Sequence, residues 1–111
     1  MRDDSERLRD ILEAIARIEK YASQGRNAVE PNELLQVWIV HHLQIIGEAA
    51  RSLSSATRTS YSQIPWPQII AMRNILVHEY FGLDFDEVWA TVERDLPELK
   101  RQVEIILQQL L

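Results

Sequence analysis

The sequence contains no cysteine, and this absence excludes disulfide frameworks, thiol nucleophiles and thiolate metal sites. Only three histidines remain for imidazole chemistry. We therefore expect no metal and no cofactor. The adjacent pair His41 and His42 does not change this expectation, because neighbours on a helix point about 100° apart and ligate one ion poorly. One of the pair is expected to face the core or a dimer seam, and the other solvent.

Long apolar runs and an excess of basic charge are also lacking. No apolar run approaches the roughly 18 residues that a membrane span needs. No basic-then-apolar segment at the N-terminus resembles a signal peptide, which predicts a cytoplasmic protein. The net charge of −5 argues against a broad nucleic-acid surface, because such surfaces neutralise phosphates with clustered Lys and Arg. Any contact with nucleic acid is expected to be confined to a small site.

The few glycines and prolines lie between apolar segments of helical period, a distribution typical of helices separated by turns. The first predicted helix extends from about Asp4 to Gln24, where Gly25 offers a left-handed stop. The second begins at Pro31-Asn32 and extends to about Ser54, and the third begins near Pro65. The polar, hydroxyl-rich stretch 54–63 is predicted to be a connection without a core element.

Two further helix starts are predicted near the C-terminus. Asp84-Phe85-Asp86-Glu87 has capping-box spacing after the break at Gly82. Asp95-Leu96-Pro97-Glu98 repeats the device, so the last stretch is either a fifth helix or a bent continuation of the fourth. No segment alternates like a strand. The 111 residues are therefore predicted to form one all-α domain, an up-and-down antiparallel bundle of four to five helices. Trp38, Trp66, Phe85 and Trp89 are at core spacing and are interpreted as packing residues.

Arg73 interrupts an otherwise apolar stripe on the third helix. The stripe comprises Trp66, Ile69, Ile70, Leu76 and Val77. Because an unpaired buried charge is costly, Arg73 must meet a carboxylate, lie at the edge of the core or face a groove that accepts an anion. Glu48, which lies among small and apolar residues of the second helix, is a candidate partner, and a purely structural ion pair is one interpretation of both residues.

His78 is the second residue of interest on this helix. Asn74 and His78 share a face, whereas Arg73 points about 140° away from His78 on an ideal helix. The two side chains converge only with help from the length of arginine, from fraying of the helix end, or from a second copy across a dimer axis. Near a helix C-terminus the dipole favours the imidazolium form, which suits a general acid.

The segment 72–84 together with Ile64-Pro65-Trp66 resembles the HepT-like toxins of the HEPN superfamily. The agreement extends to Ile46-Gly47-Glu48-Ala49-Ala50 and to Val88-Trp89 with Asp95-Leu96-Pro97. In that family the pattern Arg-x4-His-x-Tyr marks a metal-independent ribonuclease site. Here Arg73, His78 and Tyr80 carry the pattern, and Asn74 matches the polar residue that commonly follows the arginine.

The resemblance implies a toxin that cleaves RNA at a cleft between the two protomers of a homodimer. It also implies a partner, an MntA-like nucleotidyltransferase antitoxin that silences the toxin by transferring AMP to the motif tyrosine, at the position of Tyr80. In such a site Arg73 and His78 are the catalytic residues, and Asn74 and Glu48 support them. A histidine that moves protons and an arginine that stabilises phosphate charge suffice for attack by the RNA 2′-hydroxyl without a metal.

Two other interpretations remain open from the sequence. The domain can be a non-catalytic subunit that binds and positions a substrate for a separate nucleotidyltransferase, a role that does not require Arg73, His78 and Tyr80. It can also be only a dimerising helical module, with Arg73 in a buried ion pair.

Overall fold

The computed structural model describes residues 3–78 and 84–110, and at residues 75–78 it describes the helical backbone alone. Every regular element in these ranges is helical, which confirms the all-α prediction. The helices are α1 (Asp4–Ala22), α2 (Arg26–Val29), α3 (Glu33–Arg51), α4 (Ser55–Ser60), α5 (Trp66–His78), α6 (Phe85–Ala90) and α7 (Leu96–Leu110). A π-helical segment, Thr91–Asp95, joins α6 to α7.

Contacts between helix ends show that neighbouring long helices are antiparallel. Trp38, near the start of α3, donates its indole N–H to the carbonyl oxygen of Arg17 near the end of α1, at 2.8 Å. Lys100, near the start of α7, lies 3.1 Å from Glu19 near the end of α1. Helix α1 is therefore antiparallel to both α3 and α7, as the predicted up-and-down bundle requires.

The core is built from branched aliphatic side chains on the facing sides of the long helices. Its largest fully buried members are Leu8, Ile11, Ile15 and Ile18 of α1, Ile39, Leu43 and Ile46 of α3, Val103 and Ile106 of α7, and Val29 and Ile64 of shorter segments. Trp66 and Trp89 are buried with them, and Phe85 packs against them. Trp38 is half-buried between Tyr21 and His42. These aromatic residues pack as predicted.

The predicted helix starts near the C-terminus are confirmed. The Asp84 carboxylate caps α6 by accepting a hydrogen bond from the amide of Asp86, at 2.9 Å. Pro97 lies in the first turn of α7, where its missing N–H costs little. The last stretch continues the helix that begins at Phe85, because the π-helical segment joins α6 to α7 with no intervening loop.

The stretch 54–63 contributes no buried residue to the core, as predicted, but it also contains helix α4, which was not predicted. The hydroxyl of Ser54 caps this helix by accepting from the amide of Thr57, at 3.2 Å. Leu53 and Ile64, on either side of α4, are buried and tie it to the core. A polar six-residue helix has no apolar period of its own, so the hydrophobic pattern of the sequence does not predict it.

The region between the first two long helices also differs in detail from the prediction. Helix α1 ends at Ala22 rather than Gln24, and the short helix α2 follows. Gly25 has a φ of 94°, the left-handed conformation expected for a glycine beside a helix end. In the described part of the chain, no helix has the length and apolar character needed to cross a membrane.

Candidate active site

The candidate site begins where helix α5 crosses helix α3 at Gly47. A Cβ atom added at Gly47 would lie 2.2 Å from Cβ of Arg73 and 2.9 Å from its Cγ, far inside van der Waals contact. Only glycine therefore permits the two backbones to approach this closely. The close approach seats the base of the Arg73 side chain directly on the surface of α3.

The Arg73 guanidinium lies between two of the predicted site residues. Its Nε is 3.1 Å from Oε2 of Glu48, and its Nη1 donates a hydrogen bond of 3.3 Å to Oδ1 of Asn74. Glu48 Oε2 is buried and makes no hydrogen bond of good geometry, so charge attraction holds this ion pair. The predicted ion pair between Glu48 and Arg73 is confirmed.

Among the described residues, a second guanidinium group lies close to the pair. Arg51 Nη2 lies 3.7 Å from Oε1 of Glu48, so one carboxylate faces two guanidinium groups. The Arg73 side chain is 25% exposed and the Glu48 side chain 45% exposed, so the group is open to solvent. Counting the described residues alone, these three groups carry a net charge of +1, which would attract an anion such as a phosphate despite the net negative charge of the whole chain.

The predicted site residues Arg73, Asn74 and His78 all lie on α5, and His78 is its last residue. Arg73 directs its guanidinium towards Asn74, which lies one helical turn before His78. The His78 imidazole and the whole of Tyr80 lie outside the described part of the structure, so their assignments stay predictions.

The adjacent histidines of α3 behave as predicted. His42 is 5% exposed, and its Nδ1 lies 2.8 Å from the carbonyl oxygen of Trp38. His41 is exposed. Among the described residues, no group of three or more His, Asp or Glu side chains is arranged to hold a metal ion.

Sequence reasoning missed the role of Gly47 in the site. The prediction that the glycines lie between the helical segments was wrong for Gly47, which lies inside α3. The available signal was its position, since a glycine inside a strong helical pattern costs about 1 kcal/mol relative to alanine and usually has a packing reason. The structure supplies that reason in the contact with Arg73.

The chain matches one known protein family over most of its length. The family model described as "Ribonuclease HepT-like" matches residues 11–106 of the chain. The chain belongs to the HepT-like ribonuclease family. This confirms the resemblance seen in the sequence, and membership places the chain among ribonucleases. The matched range includes Gly47, Glu48, Arg73, Asn74, His78 and Tyr80.

Individual relatives agree with the family assignment. The chain is 34% identical over 106 residues to "Putative RNase MJ1380" of Methanocaldococcus jannaschii, covering 95% of this chain and 97% of that protein. It is 34% identical over 104 residues to "Probable ribonuclease HepT" of Thermococcus cleftensis, covering 93% and 94%. It is 44% identical over 70 residues to "Putative RNase TTE0752" of Caldanaerobacter subterraneus subsp. tengcongensis, covering 63% and 62%. No solved structure matches the chain significantly.

Proposed function

We propose that this chain is a metal-independent endoribonuclease toxin whose catalytic residues are Arg73 and His78. The observation that carries the proposal is the Arg73 guanidinium, which is held between Glu48 and Asn74, with the Arg51 guanidinium on the other oxygen of Glu48. Family membership supports RNA as the substrate. The position of His78 at the end of the same helix puts a proton-transfer group within a short distance along the chain.

The chemistry needs only these two kinds of group. The RNA 2′-oxygen forms a bond to the neighbouring phosphorus while the bond from phosphorus to the 5′-oxygen breaks. His78 transfers the proton from the 2′-hydroxyl to the departing 5′-oxygen, and Arg73 stabilises the charge that develops on the phosphate oxygens. Glu48 and Asn74 orient the guanidinium. DNA is spared because it lacks the nucleophilic 2′-hydroxyl.

A homodimer is part of the proposal. Leu34 and Val37 are 80% and 42% exposed on α3. On an ideal helix, the positions of Leu34, Val37, His41 and Glu48 fall within about 60° of one another. An exposed apolar stripe therefore lies on the same face of α3 as Glu48, where a second protomer would cover it and approach the Arg73 pair.

The partner in the proposal is an MntA-like nucleotidyltransferase antitoxin that transfers AMP to Tyr80. Tyr80 is two residues beyond His78 in the sequence. An AMP group there would add bulk and negative charge close to the position of the RNA phosphate, which explains silencing by repulsion and exclusion. The motif Arg73, His78 and Tyr80 and the family assignment support this part of the proposal.

Substitution of the two catalytic residues tests the activity. We expect His78→Ala and Arg73→Ala each to lower RNA cleavage by about 10²- to 10³-fold, while circular dichroism shows an unchanged helical content. Glu48→Gln should lower it less, by roughly 10-fold, because Arg73 loses a positioning partner but keeps its charge. A folded wild-type protein that binds a nucleotidyltransferase but cleaves no RNA would instead support the accessory-subunit interpretation.

Mixing the two inactive variants tests the shared cleft. If Arg73 of one protomer works with His78 of the other, a heterodimer of Arg73→Ala and His78→Ala chains contains one intact site. Activity should then reappear after the variants are mixed and allowed to exchange subunits. Sedimentation should find a dimer for the wild type, and a fully active monomer would rule out the composite site.

Mass spectrometry tests silencing. Incubation with the nucleotidyltransferase and ATP should raise the mass of the chain in steps of one AMP and abolish cleavage. Tyr80→Phe should prevent the mass increase, whereas Tyr61→Phe, a control in the connection after α4, should not. An unchanged mass of the wild-type chain would remove this part of the proposal.

A further inference from the structure

A groove with a volume of about 820 Å³ separates α4 from α5. This volume is in the range of roughly 300–1,000 Å³ that is typical of ligand clefts. The wall on the α4 side is polar and consists of Ser55, Arg58, Thr59 and Ser62. Three hydroxyl groups and one guanidinium on a single wall provide hydrogen-bonding groups suited to a phosphate-ribose chain.

The opposite side of the groove is apolar and leads to the candidate active site. Pro67, Ile70 and Ala71 of α5 form its surface, and Asn74 lines it further along the helix. From residue 67 to residue 74 the helix rises about 10 Å, at about 1.5 Å per residue. Asn74 also accepts the hydrogen bond from Arg73. A chain lying in the groove would therefore extend directly to the Arg73 guanidinium.

Arg58 is the charged group of this groove, and no described carboxylate is paired with it. Its side chain is half-buried, and its Nε is buried with no hydrogen-bond partner. No ion pair joins it to any carboxylate in the described part of the chain. Arg26, by contrast, is paired with both Asp86 and Glu30. A cation left without a carboxylate in an acidic protein favours an anionic ligand.

Two other grooves of the molecule show a different charge pattern. In a groove of about 560 Å³ beside the π-helical segment, Arg94 is accompanied by Asp95 and Glu98. In a smaller one of about 220 Å³, Arg17 lies beside Glu13, with which it forms an ion pair of 2.9 Å. The described residues that line the α4–α5 groove include no carboxylate. Of these three grooves, the α4–α5 groove therefore repels a polyanion least.

Helix α4 holds Arg58 in a fixed position. At its start, the carboxylate of Asp4 accepts hydrogen bonds from the amide and hydroxyl of Ser54, at 3.0 and 2.6 Å. After its end, the Tyr61 hydroxyl donates to Oε1 of Gln109 in α7, at 2.8 Å. The polar wall is therefore anchored on both sides, so the backbone that carries Arg58 is in place before any ligand arrives.

We infer that the α4–α5 groove binds the single-stranded RNA backbone beside the scissile phosphate, with Arg58 contacting the adjacent phosphate. The hydroxyl groups of the same wall contact ribose and phosphate oxygens, and the apolar surface of α5 lies under the sugar and base. This inference rests on the proposed function, because that function places the scissile phosphate at Arg73. Arg58 is a positioning residue in this arrangement.

Cleavage of two substrates of different length tests the role of Arg58. A dinucleoside monophosphate contains only the scissile phosphate, whereas a hexanucleotide also supplies adjacent ones. Arg58→Gln should lower kcat/KM on the hexanucleotide about 10-fold, mainly through KM, because one charged contact is lost. It should leave the dinucleotide rate within about twofold, and Arg58→Lys should recover most of the loss. Equal losses on both substrates would overturn the inference.

Binding measurements separate this inference from the proposed catalytic function. In the His78→Ala background, the dissociation constant of a hexanucleotide RNA is measured at several salt concentrations. Arg58→Gln should weaken binding and lower the salt slope by about 0.7, the value for one phosphate contact on a single strand. Arg101→Gln, which removes an exposed arginine paired with Glu98, is the control and should leave both unchanged. Failure of the wild type to cleave RNA would refute catalysis without affecting this binding result.

A second substitution covers the case in which Arg58→Gln does not fold. Ala71 is exposed on the α5 side of the groove, so Ala71→Glu adds a negative charge there without disturbing the core. It should weaken RNA binding several-fold, whereas the neutral matched variant Ala71→Gln should bind nearly as the wild type does. Unchanged binding by Ala71→Glu would by itself show that RNA does not use the groove.

Discussion

Helix α3 packs against α1 on one side and against α5 on the other, and the two contacts are built differently. In the core that α3 shares with α1, large aliphatic side chains such as Ile39 and Leu43 are fully buried. Towards α5, the backbone of Gly47 meets the base of Arg73, and an ion pair with Glu48 lies beside it. The first contact supplies apolar burial, and the second fixes the position of a charged side chain.

Within α3, the contact with α1 therefore contributes mainly to stability, and the contact with α5 contributes mainly to the candidate site. Burial of a Leu or Ile side chain contributes about 1.5–3 kcal/mol and tolerates small shifts of its neighbours. An ion pair as exposed as that of Arg73 and Glu48 contributes at most about 1 kcal/mol. We therefore expect substitutions at the α1 contact to unfold the protein, and substitutions at the α5 contact to lower activity by more than their effect on stability.

The largest effect on stability is expected for Leu43→Ala. Leu43 is 1% exposed, so the substitution removes buried methyl groups and leaves a cavity, at a cost of about 3 kcal/mol. Thermal or urea unfolding measures this loss. Leu110→Ala makes the same change at a residue that is 46% exposed and should cost less than about 1 kcal/mol. Cleavage per folded Leu43→Ala molecule should remain near the wild-type rate, and a large loss would remove the distinction between the contacts.

The second prediction concerns Gly47→Ala. In a free helix this change stabilises by about 1 kcal/mol, but here the new Cβ meets Arg73 at 2.2 Å and must displace α5. We expect a net loss of about 1–3 kcal/mol on unfolding and a drop of more than about 10-fold in RNA cleavage.

A double substitution checks that Arg73 causes the loss. Arg73→Gly removes the Cβ and Cγ atoms that a side chain at position 47 would meet. In this background Gly47→Ala should become neutral or stabilising, although the protein stays inactive because the guanidinium is gone. An equal destabilisation in both backgrounds would show that the crossing at Gly47 does not depend on Arg73.

The smallest effect is expected at Asp4, which joins the start of α1 to the start of α4. Burial acts to raise the pKa of Asp4, but hydrogen bonds from Ser54 and Thr57 outweigh it and hold the pKa below the ordinary value of 3.8. The resulting stability is complete above that value and is lost as the pH falls through the lower folded-state pKa. Asp4→Asn should cost about 1 kcal/mol at pH 7.

A pH series of melting temperatures measures this contribution. The difference between the wild type and Asp4→Asn should be constant from pH 7 to about pH 5 and shrink below about pH 4, where Asp4 becomes protonated. Glu104→Gln, an exposed change on α7, should differ little from the wild type throughout. A difference that grows as the pH falls would have the wrong sign for a lowered pKa and would contradict the assignment.

Much of the fold could be read from local patterns in the sequence. The start of α1 at Asp4, the cap at Asp84 and the positive φ of Gly25 all follow from interactions between residues within a few positions of one another. Helix α4 was missed for the same reason. Its polar residues carry no apolar period, and the buried side chains that hold it in place lie just outside its ends.

The sequence by itself determined an all-α chain, the segment from Arg73 to Tyr80 and the family to which they point. Only the tertiary structure showed that Gly47 admits Arg73, that Glu48 and Asn74 hold its guanidinium, and that Arg58 and Asn74 line the same groove. Helix formation depends on hydrogen bonds and side-chain spacing within one or two turns. Which helices cross, and how closely, depends on packing between residues far apart in the chain, and that packing positions the charged groups of the candidate site.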